Sequence, residues 1–343
     1  MTGKEIFLEA LKFKPTPRLP MGILDGYAWI LNRTGKSFAD LFADTDGAKI
    51  AAEQYRALRT DIAYMNGHVF NVVHRVMDGE IQLTKVGEAV DITRHPLTEI
   101  NDHLKFNAAE VMAKAFAEPE YVSTFAQSRE LAKMLGGEKL ISAIAYAPFT
   151  VAAMLTGVQD FMAAMYDDDD ETLALVDFAA DLVIASAEKF VECGAEAVFV
   201  ADPVASGDLI SAAVYEKFAL PALKKICAAF AGRVPVLCHI CGQTENRLQP
   251  LRGSGVSGFS MDAVDLKTAL DSARGHFAIL GNLSPFDVVL SKTPDEITAI
   301  CADRIKVAGN NGGFILFPGC DLPPKAPLEN VIAMADAAEK AFV

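Results

Sequence analysis

The chain has 343 residues, 51% of them hydrophobic, and carries 45 Asp and Glu against 31 Lys and Arg for a formal charge of −14. That acidity disfavours nucleic acid and anionic membrane as partners, and no apolar run is long enough to span a bilayer. Six cysteines without framework spacing, and an N-terminus (Met-Thr-Gly-Lys-Glu-Ile) lacking a signal-peptide pattern, lead us to expect a reducing, cytoplasmic protein.

Eight short apolar or β-branched runs read as strands: Leu19–Leu24, Met65–Val72, Leu140–Tyr146, Ala197–Val200, Val234–Cys241, Val256–Met261, Phe277–Leu280 and Gly313–Phe317. From the third onward, amphipathic helical stretches separate them, for example Val176–Cys193 and Tyr215–Ala231, with apolar residues at three- and four-residue spacing. Strand–helix alternation at this length predicts an α/β fold, a (β/α)8 TIM barrel. Residues 25–64 and 74–135 hold more helix and polar loop than a plain barrel needs, so N-terminal elaborations are expected within residues 1–135. With no repeat and no Pro/Gly/Ser linker, residues 1–343 read as a single domain. The acid run Asp167–Asp170 precedes an apolar helical pattern and reads as a helix start, where carboxylates favour the dipole and cap the backbone.

Barrel active sites lie at the carboxyl ends of the strands. The polar residues there are Asp25, Tyr146, Asp202, His239 with Cys241, Asp262, Asn282 with Ser284, and Cys320. His239 and Cys241 are two residues apart, so on a strand they face the same side. One imidazole and two thiols suit zinc, and three protein ligands leave a fourth position open, as in catalytic sites. A packed cysteine beside a hydrogen-bonded histidine is the plainer reading of His-x-Cys alone; Cys320 at the end of another strand favours the metal. His239, Cys241 and Cys320 are therefore the candidate metal ligands and catalytic residues. Asp202, Asp262, Asn282 and Tyr146 are candidate substrate-binding groups. Either aspartate could instead orient a ligand, fill the open metal position, or cap a turn. Cys193, Cys227, Cys238 and Cys301 read as buried small hydrophobes.

Two nucleotide-like patterns fail on context. Gly253-Ser-Gly255-Val-Ser-Gly258 precedes a strand instead of following one, and Gly35-Lys36-Ser37 has isoleucine, Ile30, where a phosphate loop needs its first glycine.

Several segments resemble the uroporphyrinogen decarboxylase superfamily: Ala147-Pro-Phe-Thr150-Val-Ala with Leu155-x-Gly157, Gly194-Ala-Glu-Ala197, Asp202-Pro203 and Gly281-Asn-Leu-Ser-Pro285. Within it, Ala201-Asp-Pro-Val-Ala-Ser206, His239-Ile-Cys-Gly242 and Pro318-Gly-Cys320 are similar to the cobamide-dependent branch, the methylcobamide:coenzyme M methyltransferases. That resemblance implies zinc on His239, Cys241 and Cys320. The implied reaction moves a methyl group from a methylcobamide, carried on a separate small corrinoid protein, to a small thiol such as coenzyme M. No Asp-x-His-x-x-Gly corrinoid-carrier signature occurs in this chain. The decarboxylases themselves carry Met-Arg-Gln-Ala-Gly-Arg near the N-terminus, with arginines for porphyrinogen carboxylates, and a Gly-His-Gly near the last strand. Here Leu31-Asn-Arg-Thr-Gly-Lys36 and Pro318-Gly-Cys320 stand in those places. The other readings are a metal-free decarboxylase, a methyltransferase working in the reverse sense or on homocysteine or tetrahydrofolate, and a non-enzymatic corrinoid- or metal-binding protein.

Overall fold

The computed structural model describes residues 1–167 and 169–342. Asp168, within the acid run read as a helix start, lies outside the described residues. In chain order the strands are β1 (Ile62–Tyr64), β2 (Glu80–Gln82), β3 (Asp91–Arg94), β4 (Leu140–Tyr146), β5 (Ala197–Ala201), β6 (Val236–Ile240), β7 (Gly258–Met261), β8 (Ala278–Leu283) and β9 (Phe314–Pro318). Seven of them form one parallel sheet in the order β1-β4-β5-β6-β7-β8-β9, and β2 and β3 form a separate antiparallel pair.

Parallel strands buried on both faces must be apolar along their length. Leu-Ile-Ser-Ala-Ile-Ala-Tyr, Val-Leu-Cys-His-Ile and Phe-Ile-Leu-Phe-Pro satisfy that, and β6, β7 and β9 are buried throughout. Exposure appears in β4 and β5 only at Ala145, Tyr146 and Ala201, their carboxyl ends, where a cavity opens.

Helices connect successive strands and pack one stripe on the sheet. The helix Asp169–Glu192 buries Leu175, Val176, Ala179, Leu182, Val183, Ser186, Ala187 and Phe190, a three- and four-residue repeat. Each large apolar side chain buried this way contributes roughly 1.5–3 kcal/mol. Asp169, Asp170 and Glu171 occupy the first turn of this helix, as its sequence implied, while Asp167 ends the preceding one, Val158–Asp167.

Two expectations need correction. The structure has a curled seven-stranded sheet in place of eight regular strands. Leu19–Leu24 forms isolated parallel bridges, Met21 with Leu316 and Leu24 with Asp321, and on its other side the Met21 carbonyl accepts from Asp61 N at 2.7 Å. Gly22 allows this approach, since a Cβ there would collide with the Phe317 ring and the Ile62 side chain. The second correction is to the apolar run Met65–Val72. The strand is the shorter Ile62–Tyr64 before it, and Gly67–Asn71 is a 3₁₀ turn. A Cβ at Gly67 would run into the Ile144 carbonyl, so the chain turns there against β4 where an extended strand could not.

Helices Tyr27–Thr34, Phe38–Ala43 and Gly47–Ala57 precede β1; the β2–β3 pair and helices Ala108–Ala117 and Pro119–Leu135 precede β4. Among the described residues, no helix is long and apolar enough to cross a membrane.

Candidate metal centre

His239 is the fourth residue of β6, Cys241 follows that strand's end, and Cys320 lies two residues beyond β9. Two strands, β7 and β8, stand between β6 and β9. Strands in a sheet lie about 4.8 Å apart, so in a flat sheet the two ligand segments would be roughly 14 Å apart. Their donor atoms nevertheless all fall within 4.8 Å of one another. Curling of the sheet builds the site.

His239 is buried, and its Nδ1 lies 3.0 Å from Ser260 Oγ. Ser260 is its register partner on β7, so the backbone ladder sets the contact. The other ring nitrogen, Nε2, is buried without a hydrogen-bond partner. Leaving such an atom unsatisfied costs about 1–3 kcal/mol, a cost that ligation removes. The two thiols are half-buried and in contact. The contact with Cys241, with burial adding to it, pushes Cys320 up to about 12, while the same contact lowers Cys241. One imidazole nitrogen aimed at two thiols, one of them primed to ionise, fits a soft tetrahedral ion such as zinc.

The remaining candidates are placed as follows. Asp202 is buried just past β5; its Oδ1 accepts from Thr150 N (3.1 Å) and Oγ1 (2.6 Å), in the first turn of the helix Pro148–Thr156. Burial pushes its pKa to about 6 against those bonds. Its carboxylate therefore ties the start of that helix to the segment following β5. Asp262, just past β7, accepts from Gly242 N at 3.3 Å and lies against the Gly319 backbone, so it touches both ligand loops. Burial raises its pKa. Asn282 donates to the Val264 carbonyl at 2.7 Å and keeps a buried Oδ1 without a partner. Tyr146 lines the cavity, and burial, with the charges of Asp25 and Asp321, lifts its hydroxyl to about 12.

The cavity has a volume of about 210 Å³. His239, Cys241, Cys320, Tyr146, Asp25, His68 and Asp321 line it, with apolar walls from Leu24, Ile144 and Pro203. Sequence reasoning placed Asp25 at this end but gave His68 and Asp321 no role. His68 Nε2 lies 2.6 Å from Asp25 Oδ2, and the imidazole packs at a 40° tilt against Phe38, ring centroids 4.5 Å apart. Burial works against the charged imidazole, but the Asp25 carboxylate outweighs it and raises its pKa. Asp321 rises well above the usual carboxylate range because it is buried and sits near Asp25. Neither arginine nor lysine lines the cavity among the described residues. Arg33, nearest in sequence to the decarboxylase arginines, is exposed and rests over the Trp29 ring.

The family model of uroporphyrinogen decarboxylase (URO-D) matches residues 2–341. The chain belongs to that family. Methylcobamide:CoM methyltransferase MtbA from Methanosarcina acetivorans is 34% identical over 211 residues, 61% of this chain, which thereby spans only 60% of that relative's length. Methylcobamide:CoM methyltransferase MtaA from Methanosarcina barkeri is 27% identical over 99% of this chain and 98% of its own. These relatives bear out the resemblance to the cobamide-dependent branch. A solved structure described as a methyltransferase from Methanosarcina mazei superposes with a TM-score of 0.87 at 23% identity, covering both chains completely, which speaks to the fold.

Proposed function

We propose that this chain, acting as one domain, is a zinc-dependent methyltransferase that moves a methyl group from a methylated corrinoid on a partner protein to a small thiol. Coenzyme M, the acceptor named for the relatives, belongs to that thiol class. We take Leu19–Leu24 as the eighth stave that closes the curled sheet around the site. The observation that carries the reading is the convergence of His239, Cys241 and Cys320 within 4.8 Å, with His239 Nε2 buried and unpartnered.

His239 Nε2 and the two cysteine sulfurs would hold the ion, and Ser260 fixes the ring so that Nε2 points at them. Bound there, zinc would supply Lewis acidity that keeps an incoming thiol ionised at neutral pH. Two cysteinates would balance a divalent ion and leave an acceptor sulfur electron-rich. Its lone pair forms the new sulfur–carbon bond. The cobalt–carbon bond breaks with its electron pair left on the corrinoid, and the thiol proton goes to solvent. A cavity of about 210 Å³ accommodates a thiol of a few heavy atoms. A corrin ring is far larger, so its methyl face would approach from the mouth; Phe286 and Leu209 expose apolar surface in the segments that follow β8 and β5.

The test is loss of methylcobalamin absorbance on adding candidate thiols to zinc-loaded and zinc-free protein. Transfer that needs zinc and a thiol supports the reading. Equal rates without zinc would overturn it.

A further inference from the structure

Cys241 is followed by Gly242, whose backbone is left-handed (φ 70°). Glycine takes that turn without strain, and it also has the widest backbone freedom of any residue. A thiol beside it is poorly placed unless the residues after it are tied. Both amides that follow Cys241 are tied to carboxylates, one from the β7 side and one from the β5 side. Asp262 accepts from Gly242 N, and Asp208, in the segment after β5, accepts from Gln243 N at 3.0 Å through Oδ2. The hold on the β5 side runs both ways, since Gly207 N donates to the Gln243 carbonyl at 2.9 Å. Contact is close there: a Cβ on Gly242 would run into Asp208 Oδ2.

Arg247 closes the far end of this loop. Its guanidinium is fully buried, donates to the carbonyls of Ala205 at 3.1 Å and Ile210 at 2.7 Å, and packs over the Tyr215 ring, 4.8 Å from its centroid. Residues 205–210 and 242–247 are thus fastened to each other at both ends. The two fasteners differ in what they bear. Loss of Arg247 would leave two buried carbonyls without these donors, a cost to the fold itself. Asp208 is exposed, and among the described residues its side chain bonds only to Ser206 Oγ, at 3.3 Å, and to the Gln243 amide.

Resting on the metal site of the function proposed above, we propose that Asp208 is a positioning residue for Cys241. It fixes the backbone that follows Cys241 and so holds that sulfur beside the Cys320 sulfur and the His239 ring. A ligand held in place before the ion arrives loses less freedom on binding it, so the hold raises affinity. Asp208 touches neither ion nor substrate; it acts through Gln243 and Gly242.

Three variants of the full chain test it. Asp208→Ala removes the acceptor, and Asp208→Asn keeps an acceptor oxygen of the same shape. Asp265→Ala is the control: Asp265 is another exposed carboxylate past β7 that accepts from a backbone amide, Thr268 N at 2.8 Å, away from the Cys241 loop. Zinc affinity, read by chelator competition, should fall about tenfold or more in Asp208→Ala and stay within about threefold of native in the other two. Phenylarsine oxide is the second probe. It bonds two neighbouring thiols with loss of water and needs no histidine, so it reads the placement of Cys241 beside Cys320 without zinc. Cys320→Ala supplies its background. Its affinity should follow the same order among the variants. An unchanged affinity in Asp208→Ala for a probe that native protein binds would overturn the proposal. So would an equal loss in Asp265→Ala, a loss in Asp208→Asn as large as in Asp208→Ala, or native protein that binds neither probe. Native protein without zinc, with the arsenical in the expected order, would sink the metal reading and leave the positioning role standing. Equal zinc binding by native protein and all three variants would sink the positioning role alone.

Discussion

His239 and Ser260 face each other across the β6–β7 ladder, and the 3.0 Å contact from Ser260 Oγ to His239 Nδ1 leaves Nε2 as the ring's outward donor. On the proposed reading, Ser260 fixes which nitrogen would serve the metal. Ser260→Ala should lower zinc affinity about 10–100-fold while the fold and both thiols remain, as loss of a ligand's orienting partner does elsewhere. Competition with a chromogenic chelator measures it. Unchanged affinity would show that packing alone holds the ring.

Purified protein should carry one zinc per chain. Cys241→Ala and Cys320→Ala should each abolish stoichiometric zinc, and Cys320→Ala should lower methyl transfer by orders of magnitude. Neither should unfold the protein, because the apolar core is built from residues other than the three proposed ligands. Metal analysis and far-ultraviolet circular dichroism of the same samples separate the two effects. Full zinc in either variant would refute the ligand set.

Loading the site should release protons, because the thiol held up near 12 at Cys320 must ionise to ligate. Apparent zinc affinity should therefore climb as pH rises through the neutral range. An affinity flat from pH 6 to 8 would exclude Cys320 as a thiolate ligand.

A separate pH effect belongs to His74. It is buried, its Nδ1 contacts the Asn71 carbonyl at 3.1 Å, and burial pulls its pKa from 6.5 to about 4. The unfolded chain binds the extra proton first, so this group's contribution is whole above pH 6.5 and is lost as pH falls towards 4. The size is about 3 kcal/mol at most for this shift. Urea unfolding at pH 4.5 and 7 should show a smaller difference for His74→Gln than for the native chain. An identical difference would mean that His74 is protonated without cost in the fold.

Gly22 tests the seam between β9 and β1. Gly22→Ala pushes a methyl into Phe317 and Ile62 and should destabilise by about 1–3 kcal/mol. The midpoint of urea unfolding reads it directly, and an unchanged midpoint would show that the seam is loose.

Much of this molecule was legible because parallel strands buried on both faces leave unbroken apolar runs. Leu140–Tyr146 matches β4 residue for residue, and β5, β6, β7 and β9 start or end within about two residues of their runs. The two-residue spacing of His239 and Cys241 carried over from strand geometry to the site. Met65–Val72 misled because apolar content reports burial and not backbone conformation. The 3₁₀ turn there answers to the Ile144 carbonyl, which lies far away in sequence. The same limit hid His68, which sits inside that run and meets Asp25 only in space. Asp202 showed the opposite difficulty. Its place at a strand end was readable, but its bond to Thr150, a residue visible only as part of a sequence motif, was not.

The cavity's size has a kinetic consequence. At about 210 Å³ it holds one small molecule, and on the proposed reaction a corrinoid delivering the methyl group would cover the same mouth through which that molecule came. On the proposed reaction the events acquire an order. The thiol enters first, the carrier docks second, and the thioether leaves only after the carrier has come away. Excess carrier arriving early would shut the thiol out, so turnover should fall at high carrier and low thiol, and added thiol should restore it.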